Sequence, residues 1–278
     1  NKYKPTRLSD IKHNGRSILL LQRLTASTKD IPHIFISGLS SEYTSEMARI
    51  FIREISNEEV LKFKTHSFAL TPNITVNIKS SEHHYEFDMN YYKYMRRDIP
   101  LLIIDNIVRH KNISNNSYHI ILIQNADLMT YNVQAAFRRM MEKYIRSCRF
   151  IFTSTRGNGI VEALRSRLFK ISFNRPPFSV IRGILKSIMD DQKLEITDES
   201  IYERIYENTE GIIDAINLLQ LYTLNDKALE YKEKYSPYNE LIFYIKKGDI
   251  RYFKKIQDIL FVLHSLDIDH SSMIKNLL

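Results

Sequence analysis

The 278-residue sequence contains one cysteine, Cys148, and no tryptophan. A single cysteine excludes a disulfide within the chain and is typical of proteins from a reducing compartment. No apolar run approaches the roughly 18–20 residues that a membrane-spanning helix requires. The first ten residues, NKYKPTRLSD, carry basic side chains but precede no apolar run, so they do not predict a signal peptide.

Patterns of metal ligands and of activated nucleophiles are also missing. His83 and His84 are adjacent, but no further ligand lies at the spacing of a metal site, so we expect surface or strand residues and predict no metal. The scattered Ser, His and Asp residues define no catalytic triad. Cys148 has arginines nearby in the sequence, yet a small residue before a strand is expected to be buried rather than reactive.

What is present is the composition of an ordinary soluble globular protein, with 44% hydrophobic and 26% charged residues. The length allows one to three domains with ample core. A formal charge of +8 is compatible with a polyanionic partner such as nucleic acid, and equally with an evenly solvated basic surface. Composition alone leaves that choice open.

Strand-like and helical patterns alternate over the first 175 residues. Four runs are apolar without alternation and predict buried strands at 31–38, 118–123, 149–153 and 168–173. Helical spacing of apolar residues separates them, and strands of this kind between helices predict an α/β fold with a parallel sheet and helices on both faces. After Pro176 and Pro177, which mark a boundary, the segments have helical patterns.

A phosphate-binding loop of the form G-x-x-x-x-G-K-[ST] is expected after the first strand of such a fold. The aligned octet is GLSSEYTS, and only Gly38 and Ser45 fit that form. Tyr43 replaces the second glycine, where a positive φ costs a non-glycine residue about 1–2 kcal/mol. Thr44 replaces the lysine that neutralises phosphate charge, and Glu42 adds negative charge. Taken alone, the octet is a plain strand-turn-helix connection.

A second position of the same chemistry follows the strand at 118–123. An acidic pair there would hold Mg²⁺ and polarise water. The residues are instead Gln124 and Asn125, whose neutral amides cannot act as a base. Losses at two separate positions predict that this chain does not hydrolyse ATP.

These segments resemble the small subunits of replication factor C, the clamp loader of the AAA+ superfamily, over most of residues 2–224. KYKPTRLSDI is similar to the opening KYRPxxLxDI, and QNADLMTYNVQAAFRRMMEKY to the DEADxMTxxAQxALRRxxEKY box and helix. ALRSRL is similar to the segment that contains the family's Ser-Arg-Cys motif. SSEHHYEFDMN resembles the SNYHLExN segment of the fifth subunit, in which ATPase motifs are commonly degraded.

The resemblance implies an AAA+ core at 1–175 with degenerate Walker A and Walker B motifs, a helical lid at 176–232 and an all-α collar for oligomerisation at 233–278. Two sensor positions depart from the family, with Thr155 in place of Asn and Asp214 in place of Arg. We therefore expect an inactive ATPase subunit, not an enzyme itself, with no nucleotide of its own. ATP and Mg²⁺ would be bound at the neighbouring subunit's site.

The resemblance also implies a heteropentamer with other AAA+ subunits. Such a complex opens a ring-shaped sliding clamp and places it on primer-template DNA during DNA replication. The expected location is the nucleus, or a cytoplasmic replication site if the source is a large DNA virus. No membrane partner is expected.

Arg167 lies at the position of the family's arginine finger, in the sequence Arg165-Ser166-Arg167-Leu168. A guanidinium delivered across a subunit interface stabilises charge on the transferring γ-phosphoryl group. The alternative for Arg167 is a surface arginine at a helix end that pairs with a carboxylate.

The helix predicted at 132–146 carries basic residues away from its apolar side. At about 100° per residue, Arg139, Lys143 and Arg146 fall within about 60° of one another, with Arg138 at the flank. Such a stripe suits contacts to DNA phosphates, which set register without reading bases. The alternative is a solvated face in which Glu142 is the internal partner.

One rival function remains open at this point. The chain can be an AAA+-derived scaffold or adaptor that retains the fold for protein contacts only. A catalytically active ATPase is a third possibility. Co-purification with AAA+ subunits and a ring clamp distinguishes the first hypothesis from the scaffold.

Overall fold

The computed structural model describes residues 3–26, 31–57, 61–71, 74–94, 98–109, 118–155, 157–192, 199–209, 211–224, 237–247 and 252–265. The chain divides into two compact units. The first comprises residues 1–196 and 209–214, and the second comprises 197–208 and 215–278.

A seven-stranded sheet forms the centre of the first unit. Its strands are β1 (Ile34–Ser37), β2 (Lys64–Thr71), β3 (Ile74–Ser80), β4 (His84–Asp88), β5 (His119–Gln124), β6 (Cys148–Ser154) and β7 (Phe169–Ser172). Their order across the sheet is β2-β3-β4-β5-β6-β1-β7. The five strands from β4 to β7 in that order pair in parallel, whereas β2, β3 and β4 pair antiparallel. The sheet is therefore mostly parallel with an antiparallel hairpin at one edge.

Ten α-helices are described in the two units. They are α1 (Gly15–Ala26), α2 (Ser41–Ser56), α3 (Ile99–Arg109), α4 (Tyr131–Lys143), α5 (Glu162–Arg165), α6 (Phe178–Gln192), α7 (Ile201–Glu207), α8 (Ile212–Leu224), α9 (Pro237–Lys247) and α10 (Phe253–Ser265). Among the described residues, none of these helices is both long enough and apolar enough to cross a bilayer.

The central strands are buried on both faces, which explains their continuous apolar sequence. Because side chains alternate across a strand, Ile121 and Ile123 of β5 face one core, which also contains buried residues of α3 and α4. Ile120 and Leu122 face the second core, which contains buried residues of α1 and α2. Helices on each face of the sheet thus enclose two separate apolar layers.

The predicted α/β architecture is confirmed, with a helical part toward the C-terminus. The predicted strands are observed with ends shifted by a few residues, and the helix predicted at 132–146 ends at Lys143 instead. The four predicted runs do not include β2, β3 and β4. The proposed domains at 1–175, 176–232 and 233–278 stay a prediction.

The second unit is helical throughout its described part. Aromatic side chains lie between α9 and the residues that begin α10, with the Tyr244 and Tyr252 ring centroids 5.0 Å apart. Lys247 Nζ, at the end of α9, lies 5.4 Å from the Tyr252 ring centroid. These contacts join the two helices into a hairpin.

Candidate functional site

The connection between β1 and α2 is shorter than a phosphate-binding loop. Helix α2 begins at Ser41, and Ser40 is its N-cap, with Oγ accepting a hydrogen bond from the Tyr43 N–H at 3.4 Å. Gly38 is required because a Cβ atom there would lie 2.8 Å from Thr44 Cγ2 and 3.3 Å from the Phe173 carbonyl oxygen. The octet therefore holds a close strand-helix contact and a helix start.

Tyr43 lies inside the helix, so the predicted strain at this position is wrong. The described non-glycine residues with positive φ are Asn14, Asn57 and Asn125. The Tyr43 ring is buried; its hydroxyl lies 2.7 Å from His13 Nε2 and its edge packs against Phe173. Burial raises the pKa of Tyr43 above its ordinary value.

Thr44 and Ser45 are also buried within α2. The Thr44 hydroxyl donates to carbonyl oxygens of its own helix, Ser40 at 3.1 Å and Ser41 at 3.0 Å. Ser45 Oγ lies 3.5 Å from Thr153 Oγ1. With the hydroxyls turned inward and no lysine in the octet, these residues do not fit a nucleotide triphosphate in the manner of the family's loop.

The two amides that replace the acidic pair form a polar bridge at the carboxyl edge of the sheet. Asn125 has φ 53°, a left-handed conformation that asparagine tolerates well. Its Oδ1 accepts from Ser41 Oγ at 2.5 Å, and its Nδ2 donates to Asp88 Oδ1 at 2.7 Å. Gln124 Nε2 lies 3.4 Å from Glu86 Oε2. The bridge links the start of α2 to β4 and β5.

Carboxylates remain at this edge on positions that the sequence interpretation missed. Asp88 ends β4, beside Gln124 in the parallel register. Asp127 lies two residues beyond Asn125, and its Oδ1 accepts from Ser154 Oγ at 2.8 Å. The sequence could have indicated these two carboxylates, because the carboxyl ends of neighbouring parallel strands meet at one edge of a sheet. Acidic chemistry has therefore not disappeared from this edge.

A buried ion pair lies further into the sheet. Glu86 of β4 accepts two hydrogen bonds from Arg49 of α2, at 2.8 and 2.9 Å, and lies 3.0 Å from His84 Nε2. Burial alone would raise the pKa of Glu86, but the hydrogen bonds from Arg49 and His84 outweigh it and lower that pKa to about 2. For Arg49, burial acts to lower the pKa, and the bonded Glu86 raises it overall. The pair is fully charged at neutral pH.

The two sensor positions lie in different local settings. Thr155 immediately follows β6 and is partly buried. Asp214 lies in the first turn of α8, next to Gly211. A Cβ atom at Gly211 would lie 3.6 Å from Tyr43 Cδ2 and 3.7 Å from Asp214 Oδ2, so these two side chains flank the same glycine.

Arg167 lies just after α5, and its guanidinium is held within the chain. Its Nε and Nη2 donate to Glu142 Oε1 at 2.9 and 2.8 Å. Its Nη1 donates to the Ala163 carbonyl oxygen at 2.8 Å and lies 3.4 Å from Ser166 Oγ. The side chain is 35% exposed. The carboxylate pairing that was the alternative for this arginine is present in the structure.

The four predicted DNA-contact residues have different surroundings. Arg138 Nε lies 3.5 Å from Glu142 Oε1, and Lys143 Nζ lies 3.4 Å from Asp105 Oδ1 of α3. Arg139 is exposed and has no ion-pair partner in the described part of the chain. Arg146 is exposed in the turn after α4, so it does not belong to a helical stripe. The basic side chains therefore share a surface but not one helix face.

Gln134 of α4 is a buried polar residue. Its Nε2 donates to the carbonyl oxygens of Met129 and Gly159, each at 3.1 Å. Its Oε1 accepts from the Val161 N–H at 2.7 Å. Gln134 thus ties α4 to the segment that leads into α5. Its buried position is consistent with the apolar pattern of α4, but its bonds required the fold.

The described residues contain no group of three or more His, Cys, Asp or Glu arranged to hold a metal ion. His84 contacts two side chains: its Nδ1 lies 2.6 Å from Ser81 Oγ, and its Nε2 lies 3.0 Å from Glu86 Oε1. Cys148 is fully buried, and burial raises the pKa of its thiol.

Known proteins are similar to this chain over most of its length. A replication factor C small subunit from Methanosarcina barkeri is 28% identical over 219 residues, which are 79% of this chain and 59% of that protein. Replication factor C subunit 5 from Saccharomyces cerevisiae is 24% identical over 245 residues, covering 83% of this chain and 69% of that protein. No protein-family model matches. The chain spans less than two thirds of the archaeal relative.

Among solved structures, the Thermotoga maritima RuvB Holliday junction branch migration motor matches with a TM-score of 0.54. That match is 12% identical and covers 98% of this chain and 76% of the motor. At this identity the likeness concerns the fold alone. The predicted resemblance to replication factor C small subunits is confirmed by the relatives, and two of these are named subunit 5.

The prediction that the chain is an inactive ATPase and not an enzyme is wrong. Its relatives are replication factor C small subunits, which in general are ATP-driven, and no comparison marks this chain as inactive. That prediction rested on the octet, on Gln124 and Asn125 and on the two sensor positions, and it took no account of carboxylates from neighbouring strands. Asp88 and Asp127 retain carboxylates at the same edge of the sheet.

Proposed function

We propose that this chain is a subunit of a replication factor C-like clamp loader in DNA replication. The relatives that cover most of the chain support this assignment. So does the mostly parallel sheet with helices on both faces. In this proposal the chain assembles with other AAA+ subunits into a heteropentamer that acts on a ring-shaped clamp and on primer-template DNA.

The single observation that carries a role for Arg167 in trans is its position relative to the sheet. Arg167 lies two residues before β7, which is parallel to β1, so it lies at the amino edge of the sheet. Asn125, Asp88 and the start of α2 lie at the carboxyl edge. A guanidinium at one edge cannot serve phosphates at the other, and a neighbouring subunit is the natural recipient.

In this role Arg167 would stabilise the negative charge that develops on a γ-phosphoryl group bound by the neighbour. ATP and Mg²⁺ at that neighbouring site would supply the reacting phosphate and its counter-charge. In this chain the octet differs from a phosphate-binding loop, because Tyr43 is packed against His13 and Phe173 and the Thr44 hydroxyl is turned into its own helix. Where arginine fingers operate, they contribute roughly 10³–10⁵ in rate.

The exposed basic side chains around α4 support contact with primer-template DNA. Arg138 and Arg139 are exposed on the helix, Lys143 lies at its end and Arg146 in the following turn. Arginine and lysine contacts to phosphates orient a protein on the duplex without sequence preference. The expected place of action is a replication site, in a nucleus or in the cytoplasm for a large DNA virus.

The experiment compares Arg167→Ala with Arg165→Ala in the complex reconstituted from this chain and its partner subunits. We expect Arg167→Ala to leave assembly intact and to lower ATP turnover at least 10-fold, because one interface loses its charge stabilisation. Arg165 is a matched control, since it pairs with Glu162, three residues earlier in α5. Its substitution should change turnover less than 2-fold.

Unchanged turnover for Arg167→Ala in a correctly assembled complex would refute the finger role. Failure of the chain to co-purify with AAA+ subunits would instead favour the scaffold hypothesis. Native mass spectrometry distinguishes these two results, because it reports the composition of the complex independently of turnover.

A further inference from the structure

Glu142 connects the two surfaces that the proposed function uses. Its Oε1 accepts from Nε and Nη2 of Arg167, at 2.9 and 2.8 Å, and lies 3.5 Å from Nε of Arg138. One carboxylate oxygen is therefore shared by the arginine next to α5 and an arginine of α4. Glu142 is thus a partner both of α4 and of Arg167, which lies outside that helix.

The guanidinium of Arg167 has few donors left in this arrangement. Nε and Nη2 are directed at Glu142, and Nη1 at the Ala163 carbonyl oxygen. An arginine presents five N–H donors in a planar fork, and bidentate binding of phosphate needs two adjacent ones. A phosphate must therefore displace Glu142 before it can bind this fork from the Nε side or across Nη2.

We propose that Glu142 is a positioning residue that holds Arg167 in a withdrawn position until a neighbour's γ-phosphate replaces the carboxylate. This inference rests on the proposed role of Arg167 in trans. The exchange substitutes one anion for another on the same donors, so no charge is left unpaired at any stage. Arg138 gains the undivided carboxylate when Arg167 leaves.

The size of the effect follows from exposure. The side chains of Arg167 and Glu142 are 35% and 50% exposed, so their ion pair is screened by water. Exposed pairs of this kind change an equilibrium by about 2- to 5-fold when broken. A contact of that strength holds the arginine without preventing its release, which suits a group that must move once per turnover.

The test is Glu142→Gln in the reconstituted complex, with kcat/KM for ATP as the readout. Removing the competing carboxylate should raise kcat/KM about 2- to 5-fold. The gain should shrink as salt rises, because screening already weakens the pair in the unmodified chain. Glu162→Gln is the matched control: it removes one carboxylate from the neighbouring Arg165 pair and should leave kcat/KM unchanged.

A double variant separates positioning from a general structural effect. In an Arg167→Ala background, Glu142→Gln should have no further effect on kcat/KM. A fall in kcat/KM for Glu142→Gln, no change at all, or the same change with and without Arg167 would each overturn the inference. If Arg167→Ala lowers ATP turnover but Glu142→Gln leaves kcat/KM unchanged, only the inference about Glu142 is overturned. If Arg167→Ala retains full ATP turnover, the finger role and the inference about Glu142 are overturned together.

Discussion

Glu86→Gln tests the buried ion pair between β4 and α2. The Glu86 side chain is only 5% exposed, and Arg49 binds it through two nitrogens. Removing one partner of a buried pair is costly because the other loses its counter-charge. Here Arg49 would lose its buried partner and retain the more exposed Glu46 at 3.1 Å. Gln124 also loses its carboxylate acceptor. We expect a large loss of stability from one isosteric change.

The pKa of Glu86 determines the size of the expected loss of stability. Its ordinary value is 4.5 and the value in the folded chain is about 2. Each pKa unit corresponds to about 1.4 kcal/mol, so the ionised carboxylate contributes about 3 kcal/mol at pH 7. The breaking of buried pairs in general costs about 3–5 kcal/mol, which agrees.

The sign of the pH dependence follows from the lowered pKa. A group whose pKa is lower in the folded state stabilises the fold above its unfolded pKa and loses that contribution as pH falls. For Glu86 the contribution is complete above about pH 5, falls to roughly half at pH 3 and vanishes below about pH 2. The variant should therefore differ from the unmodified chain most at neutral pH.

Urea unfolding followed by circular dichroism or tyrosine fluorescence measures this difference. Glu82→Gln is the control, because Glu82 is exposed and lies 3.9 Å from exposed Lys64; it should cost less than about 0.5 kcal/mol. The reasoning fails if Glu86→Gln costs under about 1 kcal/mol at pH 7, or if its cost is the same at pH 3.

Two further predictions concern α4. Arg139→Ala should reduce the slope of log K against log salt for primer-template DNA by about one unit, because one phosphate contact is lost; an unchanged slope in a fluorescence-anisotropy titration would place Arg139 outside the interface. Gln134→Ala should lower the free energy of unfolding by about 2–4 kcal/mol, because backbone groups of Met129, Gly159 and Val161 lose a buried hydrogen-bond partner. Thermal melts measure this loss, with the exposed Gln192→Ala as the control. A loss of stability no greater than that of the control would contradict the prediction and indicate that water replaces the amide.

The strands and helices were predictable because their burial is recorded in consecutive residues. The run HIILIQ is buried along its whole length, and α4 places Val133, Phe137 and Met141 on one side. The end of α4 was not predictable in this way. Tyr144 adopts φ −108° and begins a turn, although the basic and apolar pattern continues to Arg146.

The candidate site was less predictable because its contacts join residues far apart in the chain. Asn125 meets Ser41 and Asp88, which are 84 and 37 residues away. Glu86 meets Arg49, 37 residues earlier. Aligning the octet to a loop also assumed that the loop has its usual length, whereas α2 begins three residues after Gly38. Length changes of this kind are visible only in the backbone.

The residues that follow Arg167 bear on how such an arginine can move. Leu168 is buried, and the Phe169 N–H donates to the His33 carbonyl oxygen at 2.8 Å, so the main chain is bonded to the sheet two residues after Arg167. Only the side chain is then free to swing, and its reach is that of four rotatable bonds. A partner's phosphate must therefore come within the length of this side chain, so the arginine could reach it only when the interface between the two subunits is tightly closed.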